Sequence, residues 1–276
     1  ATALLVYYRR IKFGHVEAGL RTGDKFQPFP EEINRRVASV AADLHFAPTE
    51  TSKQNLLKEG VPAGSIVVTG NPVIDALQQV ASQNPTDEIR RLLDELGIND
   101  VVKSRLVLVT AHRRENFGQP LKNICLALKM LAEAYDDIEI LYPVHLNPNV
   151  QNIVYPLLEQ IPNITLLPPL DYLPMVHLMK HARIVLTDSG GLQEEAPGLG
   201  VPVLVLREVT ERPEGIAAGT VRLVGANTAK IVAETKRLLD SPSEHAKMAQ
   251  AVNPYGDGHA AERIVQAILN FNQTVI

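Results

Sequence analysis

Arg105-Leu106-Val107-Leu108-Val109-Thr110 runs directly into Ala111-His112-Arg113-Arg114-Glu115-Asn116. The first half is an unbroken apolar run without polar alternation. A strand of that kind is buried on both faces, as in a parallel sheet covered by helices. Polar and charged residues follow at once, and from Leu121 to Tyr135 apolar residues recur at helical spacing. Outward from this stretch the same order repeats. Strands are predicted near Ile11–Val16, Leu44–Ala47 and Ser65–Thr69, then near Ile138–Pro143, Ile164–Leu167, Ile184–Thr187, Val203–Leu206 and Arg222–Val224. Helices are predicted over Pro30–Ala42, Glu50–Glu59, Val73–Ala81, Leu173–His181, Leu192–Gly198, Thr228–Leu239 and Ala260–Asn270. This alternation means α/β architecture with parallel sheets. The polar, proline-containing Gln83-Asn84-Pro85-Thr86-Asp87 is the best linker, with three strands before it and six after it. Six strands make a complete doubly wound sheet, whereas three leave an apolar edge bare. The opening Ala1-Thr2-Ala3-Leu4-Leu5-Val6-Tyr7-Tyr8 reads as the second half of a helix, which adds to the expectation of missing sequence at the front.

Composition narrows the class. Of 276 residues, 45% are hydrophobic and 21% charged, ordinary for a globular chain, and the net charge of −4 without a basic block argues against general nucleic-acid binding. Cys125 is the only cysteine, so no internal disulfide forms; a reducing, cytoplasmic setting is expected. No apolar run is long enough to span a bilayer. No HxxxH or CxxC spacing occurs, so no metal site is expected.

Ligands of open parallel sheets sit beyond the carboxyl ends of the strands, and the densest polar segments lie there. His15-Val16-Glu17-Ala18-Gly19-Leu20-Arg21-Thr22, His112–Asn116, His145–Asn149, Asp188–Glu195 and Thr210–Glu214 each follow a strand. In Asp188-Ser189-Gly190-Gly191-Leu192-Gln193-Glu194-Glu195 the glycines admit close backbone approach. The helix start then favours an anion such as pyrophosphate, with the Ser189 hydroxyl as a donor and Glu195 facing ribose hydroxyls. On its own this segment is equally well read as a plain serine cap with a glycine turn. Arg113, Arg114 and Arg212 offer the planar fork that suits a diphosphate, although most arginines only face solvent. His112 and His145 are placed for acid–base work or phosphate contact, and for His145 a core role is as good a reading. His15 and His45 read as structural. Glu17 stands at a strand end. Glu31 and Glu32 open a helix, where carboxylates suit the dipole whatever else they do.

Together these stretches resemble the non-hydrolysing bacterial UDP-N-acetylglucosamine 2-epimerases. The likeness runs in order through Gly14–Thr22, Pro30–Arg35, Phe46–Glu50, Thr69-Gly70-Asn71-Pro72 to Ala76, His112–Asn116 and Pro143–Asn149. It continues through Leu170–Pro174, Asp188–Pro197, Thr210–Glu214 and Asn253-Pro254-Tyr255-Gly256-Asp257-Gly258. The resemblance implies two Rossmann-like domains of glycosyltransferase-B type facing across a cleft, the first incomplete at its N-terminus. Residues 1–82 would be the remainder of the first domain, 83–252 the UDP-binding domain, and 253–276 a helix crossing back to the first. It implies a homodimer that interconverts UDP-N-acetylglucosamine and UDP-N-acetylmannosamine for surface polysaccharide. The implied route eliminates UDP to 2-acetamidoglucal and adds it back, without redox cofactor or metal. By matching motif, Glu17, Glu31 and His112 are the acid–base and charge-stabilising groups, and Arg113, Ser189, Gly190, Gly191, Glu195 and Arg212 hold the UDP. Arg113 and His145 also match positions tied in some members to a second, regulatory UDP-N-acetylglucosamine.

Departures accompany the match. The family's opening strand with its phosphate-contacting Arg-Pro-Glu loop, and a later Gly-Asp-Thr loop that carries a further catalytic aspartate, are both missing ahead of Gly14, so this polypeptide alone is expected to be inactive or badly impaired. Met175 stands where relatives often carry an aromatic residue near the uracil; methionine fills similar apolar space. Three rival readings remain: a hydrolysing epimerase, a glycosyltransferase needing an acceptor, and a non-catalytic nucleotide-sugar-binding remnant. The match through Arg113–Asn116 and Thr210–Glu214 favours the non-hydrolysing type.

Overall fold

The computed structural model describes residues 2–27, 29–98 and 105–274. The chain begins α1 (Thr2–Tyr8), β1 (Gly14–Val16), α2 (Glu31–Ala41), β2 (Leu44–Ala47), α3 (Glu50–Lys58), β3 (Ile66–Val68) and α4 (Pro72–Ser82). It continues α5 (Asp87–Glu95), β4 (Arg105–Thr110), α6 (Gln119–Ala134), β5 (Ile138–Pro143), α7 (Pro148–Leu158), β6 (Ile164–Leu167) and α8 (Tyr172–His181). Then come β7 (Ile184–Thr187), α9 (Leu192–Gly198), β8 (Val203–Val205), α10 (Pro213–Ala218), β9 (Val221–Leu223), α11 (Thr228–Asp240), α12 (Pro242–Ala249) and α13 (Ala260–Thr274). Among the described residues no helix is long and apolar enough to cross a membrane.

Two compact units result. Unit 1 comprises Ala1–Gln78, Val209–Glu214 and Asn253–Ile276; unit 2 comprises Gln79–Glu208 and Gly215–Val252. The loop Val209–Glu214, which sequence alone assigns to the stretch 83–252, thus groups with unit 1. Its polar side chains explain why: Arg212 contacts Glu17, and Thr49 hydrogen-bonds Glu214.

Unit 2 contains a six-stranded parallel sheet in the order β6-β5-β4-β7-β8-β9. From Leu106 to Thr110 every residue of β4 is buried, as the continuous apolar run requires. Over the sheet lies α6, whose Leu121, Ile124, Cys125, Leu128, Leu131 and Ala132 recur at three- and four-residue spacing and are buried with Val150, Val154 and Leu158 of α7. Burial pushes the Cys125 thiol up to about 12, so it packs as a small apolar group. Unit 1 contains a three-stranded parallel sheet, β1-β2-β3, whose compact core gathers Ala18, Ala47, Leu56 and Ile66.

Most strands fall within a residue or two of their expected bounds. The first is shorter, starting at Gly14 rather than Ile11. The structure adds four helices to the sequence reading: α5, α7, α10 and α12. Each starts at a polar or proline-bearing segment that reads as a turn. Thr86 caps α5, Asn147 caps α7 ahead of Pro148, and Ser241 caps α12 ahead of Pro242. A proline at the first helical turn loses no hydrogen bond, so these prolines open helices rather than break them.

Candidate active site

The order of the six-stranded sheet locates the site in unit 2. From β4 the chain winds outward through β5 and β6, then returns and winds the other way through β7, β8 and β9. The reversal lies between β4 and β7, where Thr110 stands opposite Thr187 and their hydroxyls meet at 2.6 Å. Loops leaving adjacent strands in opposite directions open a crevice at such a switch point. These loops are Ala111–Asn116 after β4 and Asp188–Gly191 after β7.

Asp188 binds the two loops together. It is fully buried. Its Oδ2 accepts the backbone N–H groups of His112 and Arg113, each at 2.8 Å, and the side-chain amide of Asn116 at 2.9 Å. The same Asn116 amide donates to the Leu206 carbonyl at 3.0 Å, and Arg207 reaches Glu115 at 3.1 Å. The motif His112–Asn116 is therefore pinned at both ends. Among the described residues the other oxygen of Asp188 has no hydrogen-bond partner, and it lies 3.7 Å from Nδ1 of His112.

His112 lies half-buried with its ring stacked on that of His145, centroids 5.2 Å apart and planes 12° apart. Burial lowers its pKa below 6.5; Asp188 opposes this, while His145 and Arg113 add to it and Glu115 opposes it. A neutral imidazole results at neutral pH, able to take a proton or to donate one N–H. Thus His112, Arg113 and His145 share one loop cluster, as expected from their strand-end positions.

Across the switch point, the Ser189 N–H donates to the Thr187 hydroxyl at 2.9 Å and the Ser189 carbonyl accepts from Gln193 at 3.1 Å. Gly191, not Ser189, occupies the cap position of α9, and among the described residues no side chain caps the helix. The plain serine-cap reading of this segment is thereby removed. Gly191 has ordinary helical backbone angles, so its value is space: an added Cβ would sit 3.3 Å from the Glu195 carboxylate. Glu195 also faces α8, since burial and then its charge push the Tyr172 phenol up to about 12.

A second group of polar residues forms within unit 1. Glu17 directly follows β1 and adopts φ 61°, a left-handed conformation unusual for a side chain other than glycine. Its Oε1 lies 3.2 Å from Nη2 of Arg212 and 3.5 Å from the side-chain amide of Asn71; its Oε2 lies 3.8 Å from Arg35. Arg212 is itself buried and also pairs with Glu211. Glu31 begins α2, one turn before Arg35, so the two share a helix face. The neighbouring Glu32 does something different. It is buried, and its carboxylate accepts the N–H groups of Thr22 at 3.1 Å and Gly23 at 3.2 Å, which secures the chain between β1 and α2. His15 and His45 lie on the first two strands of unit 1, β1 and β2. His45 is buried with Nε2 at 2.9 Å from the Ser39 carbonyl, and burial, aided by His45 and two arginines, drops His15 to about 4.

Sequence reasoning overlooked Asp188 as an anchor, and Asn71 and Asn116 as its counterparts in holding the site. The only available signal was their place inside strand-end motifs.

A family model described as UDP-N-acetylglucosamine 2-epimerase matches residues 1–269. The chain is 53% identical to the UDP-N-acetylglucosamine 2-epimerase of Salmonella typhimurium, over 98% of this chain and 72% of that protein. Among solved structures, the UDP-GlcNAc 2-epimerase of Neisseria meningitidis bound to UDP-GlcNAc is similar at TM-score 0.92 and 47% identity, covering 97% of this chain and 72% of that one. The Methanocaldococcus jannaschii UDP-GlcNAc 2-epimerase in complex with UDP-GlcNAc and UDP is similar at TM-score 0.83 and 35% identity, covering 97% and 72% respectively. Parallel sheets, the switch-point loops and these likenesses agree: this chain, of α/β glycosyltransferase-B type, belongs to the UDP-N-acetylglucosamine 2-epimerase family, a family of isomerases.

Proposed function

We propose that the protein reversibly epimerises UDP-N-acetylglucosamine to UDP-N-acetylmannosamine at C2 without hydrolysis. The observation that carries this reading is Glu17: a carboxylate in strained backbone, held by Arg212, Asn71 and Arg35, suits the transfer of a proton at carbon. In the proposed route a carboxylate removes the C2 proton while the C1–oxygen bond to UDP breaks. The electron pair released at C2 forms the C1=C2 bond of 2-acetamidoglucal, and the diphosphate oxygen leaves with the C1–O pair. In the return step that oxygen attacks C1 and a proton reaches C2 on the opposite face. The route is redox-neutral and needs no electron carrier.

Glu17 and Glu31 are assigned to the proton transfers and His112 to the charge developing on the departing diphosphate. Arg113, Ser189, Gly190, Gly191, Glu195 and Arg212 are assigned to UDP. Arg113 suits the diphosphate because its backbone is fixed by Asp188, and an arginine fork binds phosphate oxygens in pairs. Arg212 is given two roles, since it lies on Glu17 as well. His145, stacked on His112, is assigned with Arg113 to a regulatory UDP-N-acetylglucosamine. A homodimer is part of the proposal.

The test is to incubate the full-length protein with UDP-N-acetylglucosamine in deuterated water. The proposal expects deuterium at C2 and UDP-linked N-acetylmannosamine. Free N-acetylmannosamine with UDP would establish a hydrolysing enzyme instead, and UDP binding without exchange at C2 a non-catalytic binder.

A further inference from the structure

The proposed chemistry assigns no step to two motifs, Thr69-Gly70-Asn71-Pro72, whose Asn71 touches Glu17, and Asn253-Pro254-Tyr255-Gly256. Both lie in unit 1, and they pack backbone to backbone. Gly70 has φ +84°, and a Cβ there would lie 3.3 Å from the Gly256 Cα and 3.4 Å from the Tyr255 carbonyl oxygen, so a side chain would push the turns apart. The Asn71 N–H donates to the Tyr255 carbonyl at 2.7 Å. Nearby, the Asp75 carboxylate accepts the N–H groups of Ala260 at 3.1 Å and Ala261 at 2.7 Å, securing the start of α13 on α4.

The two turns form part of a closed ring. Tyr255, fully buried, donates its hydroxyl to the backbone carbonyl of Arg212 at 3.1 Å. The Arg212 guanidinium meets Glu17, and the Asn71 amide meets the same Glu17 oxygen. Asn71 is oriented for this, because its Oδ1 accepts the Val73 N–H at 3.2 Å and thereby turns its NH2 toward Glu17. Four residues far apart in sequence thus fix one another through side chain and backbone alternately. Glu17 needs such support: its left-handed backbone costs roughly 1–2 kcal/mol, and a carboxylate with few restraints would sample several rotamers.

We propose that Asn71 and Tyr255 are positioning residues that set the Glu17 carboxylate against Arg212. Tyr255 acts through the Arg212 backbone, and Asn71 acts directly on the carboxylate. The inference rests on Glu17 transferring a proton, and the test separates the two.

Tyr255→Phe deletes only the hydroxyl. Asn71→Asp keeps the oxygen that accepts from Val73 but turns the donor to Glu17 into a repelling oxygen. In the full-length protein each is expected to lower kcat by roughly tenfold or more; for Asn71→Asp KM and the Kd for UDP stay within about threefold, as for a group misplaced in the transition state only, whereas Tyr255→Phe also weakens UDP binding through Arg212. Added to Glu17→Gln, neither is expected to lower the residual kcat further. A crystal structure of Tyr255→Phe is expected to show the Glu17–Arg212 separation lengthened beyond hydrogen-bond reach. Unchanged kcat in both single variants, full additivity with Glu17→Gln, or an unmoved Glu17–Arg212 pair in that crystal structure would overturn the positioning role. If Glu17→Gln itself keeps full activity, the assignment of Glu17 falls instead, and the crystal structure still decides whether Tyr255 and Asn71 hold the pair.

Discussion

Replacing Asp188 by asparagine isolates the anchor of the switch-point loops. The carboxylate receives three hydrogen bonds of 2.8–2.9 Å, from two backbone N–H groups and the Asn116 amide, in a fully buried setting. A hydrogen bond to a charged partner contributes about 1.5–3 kcal/mol and a neutral one about 0.5–1.5 kcal/mol. The exchange therefore removes about 1 kcal/mol per bond, or about 3 kcal/mol altogether. The new NH2 faces Nδ1 of His112 across the present 3.7 Å gap, and a bond formed there would return about 1 kcal/mol. The net loss expected is about 2–3 kcal/mol. With a denaturant slope of about 2 kcal/mol/M in urea, the midpoint for unit 2 drops by roughly 1 M. Tryptophan is absent, so far-ultraviolet circular dichroism is the readout. UDP affinity should weaken in parallel, because the loop carrying His112 and Arg113 loosens. The charge that opposes the lowering of the His112 pKa also disappears, so His112 titrates at still lower pH by NMR. A midpoint shift under about 0.3 M with UDP affinity unchanged would refute Asp188 as the anchor.

Three further outcomes are expected. His15 binds its proton at about 4 in the folded chain against an ordinary value of 6.5. As pH falls from 6.5 toward 4 the unfolded chain takes up a proton that the folded chain refuses, so unit 1 loses up to roughly 3 kcal/mol across that window. His15→Gln removes that part of the acid slope in pH-dependent urea titrations, and an unchanged slope would sink the point. Gly19 has φ +88°, and a Cβ there would lie 2.1 Å from the Ser52 carbonyl oxygen, so Gly19→Ala should destabilise unit 1 by more than about 3 kcal/mol, measured by thermal melting. Glu17→Gln should lower kcat of the full-length protein by about 10²–10⁴-fold while calorimetry finds UDP affinity within a few-fold, because the lost group acts on protons rather than on the nucleotide.

The sheets were legible because buried parallel strands are continuous apolar runs; β4, β5, β6 and β7 lie where Arg105–Thr110, Ile138–Pro143, Ile164–Leu167 and Ile184–Thr187 place them. Helices α5, α7, α10 and α12 were hidden because capping residues and first-turn prolines share the vocabulary of turns. Candidate residues such as His112, Arg113, Ser189 and Glu17 could be picked out by their place just beyond a strand, where parallel sheets leave side chains open to ligands.

By itself, then, the order of apolar runs and polar strand ends determined the α/β class and the strands, while the family was legible only as a resemblance of whole motifs such as Gly14–Thr22 and Asp188–Pro197. Those properties are local or repeat along the chain, so periodicity and motif carry them. Only the tertiary structure decided what surrounds Asp188 and Glu17. The donors to Asp188 come from 72 to 76 residues earlier in the chain. Two of the partners of Glu17, Asn71 and Arg212, lie 54 and 195 residues away. A hydrogen bond depends on distance and direction in space, and nothing in the local pattern around either residue specifies which distant turn will be folded against it.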